Sequence, residues 1–232
     1  MEADDSKCGW CNHAHCHECI EEELFQAVIH DSIEQIKSEV LSCTACQALV
    51  KFRNKIAFSY GTGSNGIMIV GTAPSQSGGN LTGMPMSEGK SRSGKLVFDI
   101  LAESQLVPME CYITNILFCA TPGNREPLFS EINSCVTYKR REIRVLKPKL
   151  VIMLGRVPMW CLIGPSFKRG DVVLDSNGFT RLVGFFHPSY ILRQESAKVE
   201  ADYKAKVKEM IEKYGRQEQE NGPHNTQWPL GI

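Results

Sequence analysis

The sequence predicts an α/β fold: a three-layer α/β/α sandwich with a short, mainly parallel central sheet. Short apolar runs, which are typical of strands buried on both faces, alternate along the chain with stretches of helical periodicity. The apolar runs are residues 67–70, 112–118 and 149–154. The stretches that favour helices are residues 94–105, 130–146 and 157–163. Strands that alternate with helices in this way indicate a mainly parallel sheet with helices on both faces.

Further elements flank this core in the sequence. Apolar residues recur near a helical period over residues 20–42, which predicts an N-terminal helix. Residues 172–175 and 180–186 are predicted to form a β-hairpin, because an Asn-Gly pair at 177–178 suits a tight turn. Residues 197–214 are charged and amphipathic, and they predict a last helix.

The length and composition fit one globular domain with extensions. The chain has 232 residues, of which 42% are hydrophobic and 22% charged. We expect three parts: a Cys- and His-rich segment with its helix (1–42), a central domain (43–214) and a polar tail (215–232). No apolar run approaches the roughly eighteen residues that span a bilayer, and the acidic start does not resemble a secretory signal. We therefore expect a cytoplasmic protein without a membrane partner, acting as a monomer.

The net charge of the chain does not indicate a partner. Positive and negative residues balance at 26 each, so a surface for nucleic acid would have to be local. One basic run is a candidate: Lys139, Arg140, Arg141, Arg144, Lys147 and Lys149. On charge alone, we interpret this run as the solvated face of a helix.

Ten cysteines indicate metal binding, because disulfides are disfavoured in the cytoplasm. Two Cys-x-x-Cys pairs stand near the N-terminus: Cys8, Cys11, Cys16 and Cys19, with His13, His15 and His17 among them. They predict a zinc site. The gap between the pairs is short for a zinc ribbon, and the alternative is a flexible terminus that binds adventitious metal. Cys111 and Cys161 lie in apolar surroundings and are predicted to be core residues.

Several chemically useful residues fall where predicted strands end. Gly71, Asn115, Gly155 and His187 each lie in or just after a predicted strand. Because ligands of open α/β sheets bind beyond the carboxyl ends of the strands, these positions predict the functional site.

Three segments, in order, resemble the uracil-DNA glycosylase superfamily, nearest its iron–sulfur branches, families four and five. The first segment is Gly71-Thr72-Ala73-Pro74-Ser75, continued by Gly-Gly-Asn-Leu-Thr-Gly at 78–83. The second is Tyr112-Ile113-Thr114-Asn115, followed by Cys119, Pro122-Gly123-Asn124-Arg125 and Cys135. The third is His187-Pro188-Ser189-Tyr190-Ile191-Leu192-Arg193. The resemblance covers about residues 43–195 and implies that residues 43–214 are a glycosylase-like catalytic domain.

The resemblance also implies an iron–sulfur cofactor. Cys43, Cys46, Cys119 and Cys135 match the positions that ligate a [4Fe–4S] cluster in these families. Thiolates are the usual ligands of cluster iron, and four of them can hold one iron each. We assign the cluster a structural role, in which it would pin the N-terminal part to the catalytic domain. The alternative is a set of buried free cysteines.

The same resemblance implies roles at the base. Asn115 would read the Watson–Crick edge of a flipped-out base, and His187 would stabilise the departing base anion by a hydrogen bond. The segment from Ser189 to Arg193 would enter the minor groove, with an apolar side chain or Arg193 filling the gap left by the flipped-out base. The backbone of Gly71, Thr72, Ala73, Pro74 and Ser75 would line the pocket and hold the water. Asn80, Ser91 and Ser93 are candidate phosphate ligands, and Asn124 and Arg125 would brace the loop near the cluster.

Two positions depart from the family pattern. Family four carries a glutamate that orients water where this chain has Thr72, and Glu88 is a candidate substitute from the following loop. The families place a phenylalanine that stacks on uracil where this chain has Met86. Methionine is flexible and adaptable, so a bulkier base than uracil is a plausible substrate.

These features predict a monofunctional DNA glycosylase that removes uracil or a modified pyrimidine and leaves an abasic site. No motif places a lysine as a Schiff-base nucleophile, so we expect hydrolysis without strand cleavage. A different substrate that fits the pattern is a hypermodified phage base, such as glucosylated hydroxymethylcytosine, in anti-phage defence. Two competing hypotheses are a non-catalytic DNA-binding protein of the same fold and a redox iron–sulfur protein.

Overall fold

The computed structural model describes residues 31–89, 91–165, 168–174 and 178–216. The strands are β1 (Ser59–Tyr60), β2 (Ile67–Gly71), β3 (Tyr112–Asn115), β4 (Leu150–Leu154), β5 (Val172–Leu174) and β6 (Arg181–Phe185). The first helices are α1 (Ile33–Leu41), α2 (Gln47–Phe52), α3 (Gly79–Thr82) and α4 (Arg92–Glu103). The later helices are α5 (Phe129–Leu146), α6 (Arg156–Leu162), α7 (Pro188–Leu192) and α8 (Ala197–Met210), the last continued by a π-turn at Ile211–Gly215.

The strands form one mainly parallel sheet in the order β1-β3-β2-β4-β6-β5. The four central strands run parallel, while β1 and β5 pair antiparallel at the two edges. Helices cover both faces, and a hydrophobic core lies on each side of the sheet. The predicted three-layer α/β/α sandwich is confirmed.

Alternation along the central strands explains the two cores. In β2, Met68 and Val70 belong to the core that includes residues of α1, α2, α5 and α6. Ile67 and Ile69 belong to the core that includes residues of α4 and α8. All five residues of β2 and of β4 are buried, which is why their sequences are continuously apolar.

Some predicted boundaries were wrong. β3 ends at Asn115 instead of continuing to 118. Beyond Asn115, the N–H groups of Ile116 and Leu117 donate to the carbonyls of Gly71 and Thr72. Helix α1 begins after Ser32, whose Oγ accepts the N–H of Gln35, and residues 20–30 lie outside the described part. The hairpin is confirmed, although its turn residue Asn177 lies outside the described ranges.

The interpretation of the basic run as a solvated face was wrong for two of its members. Lys139 is fully buried, and its Nζ donates to Glu142 Oε2 and to Thr114 Oγ1, each over 2.6 Å. Arg141 forms ion pairs with Asp31 and Glu39, which tie α1 to α5. These basic side chains therefore hold the fold together instead of forming a solvated face.

The division of the chain into three parts at 42/43 and 214/215 stays a prediction. Within the described ranges, no helix is both long and apolar enough to cross a membrane.

Candidate active site

The residues predicted at strand ends meet at one edge of the sheet. Asn115 ends β3, Gly71 ends β2, Gly155 follows β4, and His187 follows β6 by two residues. These strands are neighbours in the order β3-β2-β4-β6, and all four are parallel. The carboxyl edge of the sheet therefore carries the candidate site, as expected for an open α/β sheet.

Asn115 lies against Gly71. The two residues pair in register across β2 and β3. A methyl group added to Gly71 would collide with Oδ1 of Asn115 and would come within 2.7 Å of the Met86 methyl carbon. The missing side chain of Gly71 thus leaves the room in which the Asn115 amide lies. Met86 borders the same space.

The Asn115 amide is buried, and one of its polar atoms lacks a hydrogen-bond partner among the described residues. Asn115 is 1% exposed, and its Nδ2 has no hydrogen-bond partner among the residues that the structure describes. A buried donor without a partner costs about 1–3 kcal/mol. Such a group at a sheet edge where ligands bind is a candidate contact for a ligand.

His187 lies against Gly155 in a similar way. Gly155 has a positive φ of 102°, and a methyl group placed on it would lie 3.3 Å from His187 Cβ and 3.7 Å from Thr72 Oγ1. The His187 side chain and the Thr72 hydroxyl therefore both border the position that a side chain of Gly155 would occupy. Two glycines at the ends of central strands provide space for the two polar groups of the site.

Asn115 and His187 come from the two outer strands of this parallel group. Three interstrand spacings separate β3 from β6, which is about 14 Å between the backbones of Asn115 and the strand leading to His187. Both side chains lie over the strands between them, at Gly71 and Gly155. A molecule that contacts both residues must lie above these two glycines.

Hydrogen bonds fix the tautomer of His187. The backbone N–H of Ser189 donates to Nδ1 over 3.2 Å, and Ser189 Oγ lies 2.8 Å from the same nitrogen. Because a backbone N–H can only donate, Nδ1 must carry a lone pair, and the proton of a neutral ring lies on Nε2. Burial, and then the positive charge of Arg193, lowers the pKa of His187 to about 4. The imidazole is therefore neutral near neutral pH, with Nε2–H as a donor.

The turn that carries Met86 has an unusual backbone. Met86 and Ser87 adopt positive φ angles of 53° and 51°. Gly94 at the start of α4 packs directly on the carbonyl of Met86, where any added side chain would collide. Positive φ at consecutive non-glycine residues is costly and is often found at functional sites. The side chain of Glu88 is not among those described, so its role stays a prediction.

The loop after β2 is held by its own hydrogen bonds. The Ser75 carbonyl accepts the N–H groups of Gly78 and Asn80. Asn80 is buried, and its Oδ1 accepts the N–H of Asn54 over 2.8 Å. This bond commits the amide oxygen of Asn80 to the fold, while the predicted phosphate contact stays a prediction. Ala73 and Ser75 are half-buried and Pro74 is buried, and their contact with a ligand stays a prediction as well.

Other predicted residues also have structural bonds. Asn124 Oδ1 accepts the N–H of Gln76 over 2.7 Å, in the loop after β2, while its role at the loop near the cluster stays a prediction. Arg125 pairs with the carboxylate of Glu131. Ser91 caps α4 by accepting the N–H of Gly94. The hydroxyl of Ser189 is engaged with the imidazole, and Arg193 is exposed.

Four predicted metal ligands are neighbours. Cys46, Cys119 and Cys135 belong to one hydrophobic core. Burial raises the pKa of Cys135, a backbone hydrogen bond with Phe118 lowers it, and the charges of Cys119, Cys46 and Cys43 raise it, so that the pKa is about 12. All four cysteines are free of disulfides.

Four cysteine thiolates are the usual ligand set of a [4Fe–4S] cluster, which takes one thiolate on each of four irons. Within the described ranges, no group of three or more His, Cys, Asp or Glu side chains could hold a metal ion. The cluster at these four cysteines therefore stays a prediction. Cys8, Cys11, Cys16 and Cys19 lie outside the described residues, and the zinc prediction stays untested.

Sequence reasoning missed Arg53. Its Nη1 donates to Cys119 Sγ over 3.3 Å, and its Nη2 donates to the carbonyl of Cys43 over 2.9 Å. The guanidinium therefore links two of the cysteine-bearing segments. Burial raises the pKa of the Cys119 thiol, and the hydrogen bond and charge of Arg53 oppose this rise. These partners are 66 and 10 residues away along the chain, so no local pattern reveals the contact. Cys111 is fully buried in the other core, and Cys161 is half-buried.

Comparison with known proteins identifies relatives of this chain. A model described as the uracil DNA glycosylase superfamily matches residues 58–212, more than half of the chain. The chain is 36% identical over 127 residues to a type-4 uracil-DNA glycosylase of Sulfurisphaera tokodaii, covering 54% of this chain and 56% of that protein. It is 28% identical over 169 residues to a type-4 uracil-DNA glycosylase of Thermotoga maritima, covering 71% and 85%.

A relative of a second type also matches. The chain is 27% identical over 184 residues to a type-5 uracil-DNA glycosylase of Pyrobaculum aerophilum, covering 66% of this chain and 80% of that protein. The Sulfurisphaera match spans little more than half of that relative's length, at 56%. The matched stretch includes β2, β3, β4 and β6, the strands that carry the candidate site.

Proposed function

The chain belongs to the uracil DNA glycosylase superfamily, and on that premise we propose that it is a monofunctional DNA N-glycosylase. It rotates uracil or a related modified pyrimidine out of DNA, hydrolyses the N-glycosidic bond and leaves an abasic site. The observation that carries this proposal is the buried Asn115 amide, whose Nδ2 lacks a partner among the described residues. A flipped-out base supplies the missing partner.

Asn115 is the residue that reads the base. The Watson–Crick edge of uracil presents an N–H group beside carbonyl oxygens. A primary amide has both donors and an acceptor, so it can pair with that edge. Gly71 leaves space for the amide, and Met86 borders the same space. The pocket backbone comes from Gly71, Thr72, Ala73, Pro74 and Ser75.

His187 stabilises the departing base. Cleavage of the glycosidic bond leaves positive charge on the sugar and negative charge on the base. The neutral imidazole presents its Nε2–H to a carbonyl oxygen of the base, where the negative charge accumulates. A hydrogen-bond donor that is already aimed at such a charge lowers the activation free energy by about 3–4 kcal/mol. The imidazole does not need to lose its proton in this step.

Thr72 positions the attacking water. Its hydroxyl borders Gly155, as the His187 side chain does. A threonine hydroxyl can hold a water by a hydrogen bond, but it does not remove a proton at neutral pH. The positively charged sugar must therefore be reactive enough to take the water, unless Glu88 assists as a base. Lys139 is buried in its ion pair with Glu142 and is not available as a nucleophile.

Four cysteines hold the proposed cofactor. Cys43, Cys46, Cys119 and Cys135 would bind a [4Fe–4S] cluster, which supplies a cross-link between distant segments when it is bound. Arg53 supports this arrangement by donating to Cys119 and to the Cys43 carbonyl. The partner of the protein is DNA.

A second candidate function differs only in the base that is removed. Met86 stands beside Gly71 and Asn115, at the position where an aromatic ring is expected from the family pattern. An unbranched thioether can move aside for a larger base more readily than a ring can. A hypermodified phage base, such as glucosylated hydroxymethylcytosine, is therefore the second candidate substrate, with a role in anti-phage defence.

One experiment tests the activity and identifies the base. The purified protein is incubated with DNA that contains uracil, unmodified bases or hypermodified cytosine. Released bases are identified by mass spectrometry, and abasic sites are revealed by alkaline cleavage. We expect a free base and an equal amount of abasic sites from at least one modified DNA.

Variants connect the result to the site. We expect Asn115→Ala and His187→Ala to release little base. Asn65→Ala is a matched control, because Asn65 lies at the amino ends of the strands, where its Oδ1 accepts the N–H of Ile67. It should retain activity in whatever fraction remains folded. DNA binding without base release from any substrate would favour a non-catalytic DNA-binding protein.

A further inference from the structure

An exposed aromatic residue is stacked beside the candidate site. The rings of Phe186 and Tyr190 lie 4.6 Å apart between centroids, with an interplanar angle of 12°. The guanidinium carbon of Arg169 lies 4.0 Å from the centroid of Phe186. A ring and a guanidinium at these distances cannot share one face of Phe186. The three side chains therefore form a stack in the order Arg169, Phe186, Tyr190, which we call the aromatic stack.

The backbone holds this stack in a fixed place. The carbonyl of Phe186 accepts the hydroxyl of Tyr203 over 2.9 Å. The N–H of Tyr190 donates to the carbonyl of His187. On the other side, the N–H of Gly170 donates to the carbonyl of Gly184 in β6, which fixes the chain next to Arg169. The ring of Tyr190 is thus attached to the same turn that carries the imidazole.

In the described part of the chain, Tyr190 keeps an exposed surface for a partner. Tyr190 is 42% exposed although Phe186 covers one side of its ring. A single exposed aromatic residue needs no explanation by itself. Here, however, the ring is flat against a second ring, has a cation behind it and lies three residues from His187. Proteins that bind unpaired nucleic acid use such rings, because every base has a flat face that stacks on them.

We propose that the free face of Tyr190 stacks on the nucleobase that borders the gap left by the flipped-out nucleotide. Flipping removes one base from the stack and exposes the faces of its neighbours and the edge of its former partner. The aromatic stack offers a rigid surface for such a face, and the Arg169 guanidinium supports it from behind by its contact with the Phe186 ring. This inference rests on the proposed glycosylase function and names a further binding residue for it.

Fluorescence of bound DNA tests the proposal without base excision. The probe is a duplex with a tetrahydrofuran abasic analogue, which has no base to remove. 2-Aminopurine, whose fluorescence is quenched by stacking, is placed opposite the analogue in one duplex and directly beside it in another. We expect the wild-type protein and Tyr190→Phe to quench one of the two probes, and the quenched position identifies which base is stacked.

Other variants separate a ring from simple bulk. We expect Tyr190→Ala to lose the quenching and to bind the duplex about tenfold more weakly, the size expected for one base–aromatic stack. Tyr190→Leu should lose the quenching as well. Met109→Ala is the control, because Met109 is also exposed, at 52%, but lies before β3 at the opposite edge of the sheet. Wild-type quenching by Tyr190→Ala or Tyr190→Leu would overturn the proposal.

The outcome can be distinguished from a failure of the proposed function. Excision of uracil in a single turnover is measured on the same proteins. If the wild type quenches the probe but removes no base from any DNA, the glycosylase proposal fails and the stacking proposal stands. If the wild type removes a base and Tyr190→Ala leaves binding and quenching unchanged, the stacking proposal fails alone.

Discussion

Gly71 and Asn115 pair in register at the ends of β2 and β3, and the amide of Asn115 occupies the space that a side chain at position 71 would need. This contact explains why a glycine stands at the end of a strand that is otherwise fully apolar. It also makes the position of the amide sensitive to a single methyl group.

Gly71→Ala should therefore impair activity more than folding. The added methyl group would displace Asn115 and the end of Met86, and overpacking of this kind costs about 1–3 kcal/mol. We expect base excision in a single turnover to slow by at least roughly tenfold, because a displacement of about 1 Å at a reacting group can cost about a hundredfold.

Gly184→Ala is the matched control for that variant. Gly184 is also a glycine of a central strand, and a methyl group there would press on the side chain of Met159 within 2.6 Å. We expect a comparable loss of stability in thermal unfolding, with excision by the folded protein unchanged. Equal losses of activity in both variants would contradict a specific role of the Gly71–Asn115 contact.

The ionisation of His187 should couple stability to pH. Its pKa is lowered from 6.5 to about 4 in the folded protein. Between these values the unfolded chain binds a proton that the folded chain does not, so the free energy of unfolding should fall as the pH falls from 6.5 towards 4. His187→Gln should lose this contribution, and the comparison is made by denaturant unfolding across that pH range.

The difference between the wild type and His187→Gln reports on His187, which is the only histidine among the residues that the structure describes. The remaining histidines are present in both proteins. Excision by the wild type should stay level as the pH falls from about 7 to about 5, since the imidazole is already neutral. A wild-type protein whose stability changes with pH just as His187→Gln does would contradict the lowered pKa.

The role of Ser189 can be tested with the same assay. Ser189→Ala removes the hydroxyl near Nδ1 but keeps the backbone N–H that fixes the tautomer. The net value of one hydrogen bond is about 0.5–1.5 kcal/mol, so we expect excision to slow by roughly two- to tenfold. A loss as large as that of His187→Ala would mean that the hydroxyl has a direct role.

The binding of iron should require the four matched cysteines, and it should not require Cys111 or Cys161. We expect Cys119→Ser and Cys135→Ser, purified without oxygen, to lose the brown colour and most bound iron and sulfide. Cys111→Ser and Cys161→Ser should keep the iron, because Cys111 belongs to the other core and Cys161 is not among the four matched positions. Removal of iron from the wild type by a chelator should lower its thermal stability. Iron retained in Cys119→Ser and Cys135→Ser would contradict the assignment.

The buried pair of Lys139 and Glu142 should be important for stability. Lys139→Met leaves the Glu142 carboxylate buried without its cation, which costs about 3–5 kcal/mol. The double variant Lys139→Met/Glu142→Leu should recover much of that loss, because neither charge remains to be buried. Denaturant unfolding of the single and double variants measures both effects.

An exposed pair provides the control. Lys95 and Asp99 lie 2.7 Å apart on α4, but their side chains are 69% and 36% exposed. Lys95→Met should change the stability by less than about 1 kcal/mol. If Lys139→Met were equally harmless, the burial of its ion pair would be in doubt.

The sequence predicted the sheet well where strands are fully buried. The apolar runs before Gly71 and Gly155 mark β2 and β4 almost to the residue, because strands covered on both faces must be continuously apolar. β1 was not predicted, since a strand of two residues, Ser59–Tyr60, has no detectable period. The apolar run after Asn115 was mistaken for strand because burial, and not strand geometry, determines its composition.

The candidate site was predicted only in part. Asn115 and His187 could be placed at the sheet edge, because strand ends are visible in the sequence and the motifs match a known family. The positions of Arg53 and Arg169 could not, because each contacts a residue far away in the chain. The burial of Lys139 was also missed, since a lysine in a basic run gives no local sign that a carboxylate three residues on and Thr114 will enclose it.

A double-mutant cycle on Asn115 and His187 tests the central claim most directly. Single-turnover excision is measured for the wild type, Asn115→Ala, His187→Ala and the double variant, on the DNA that releases the most base. If both side chains act on one flipped-out base, His187→Ala should slow excision by roughly 100- to 1000-fold, Asn115→Ala should also be strongly impaired, and all variants should remain folded. Excision at the wild-type rate by either single variant would contradict the claim.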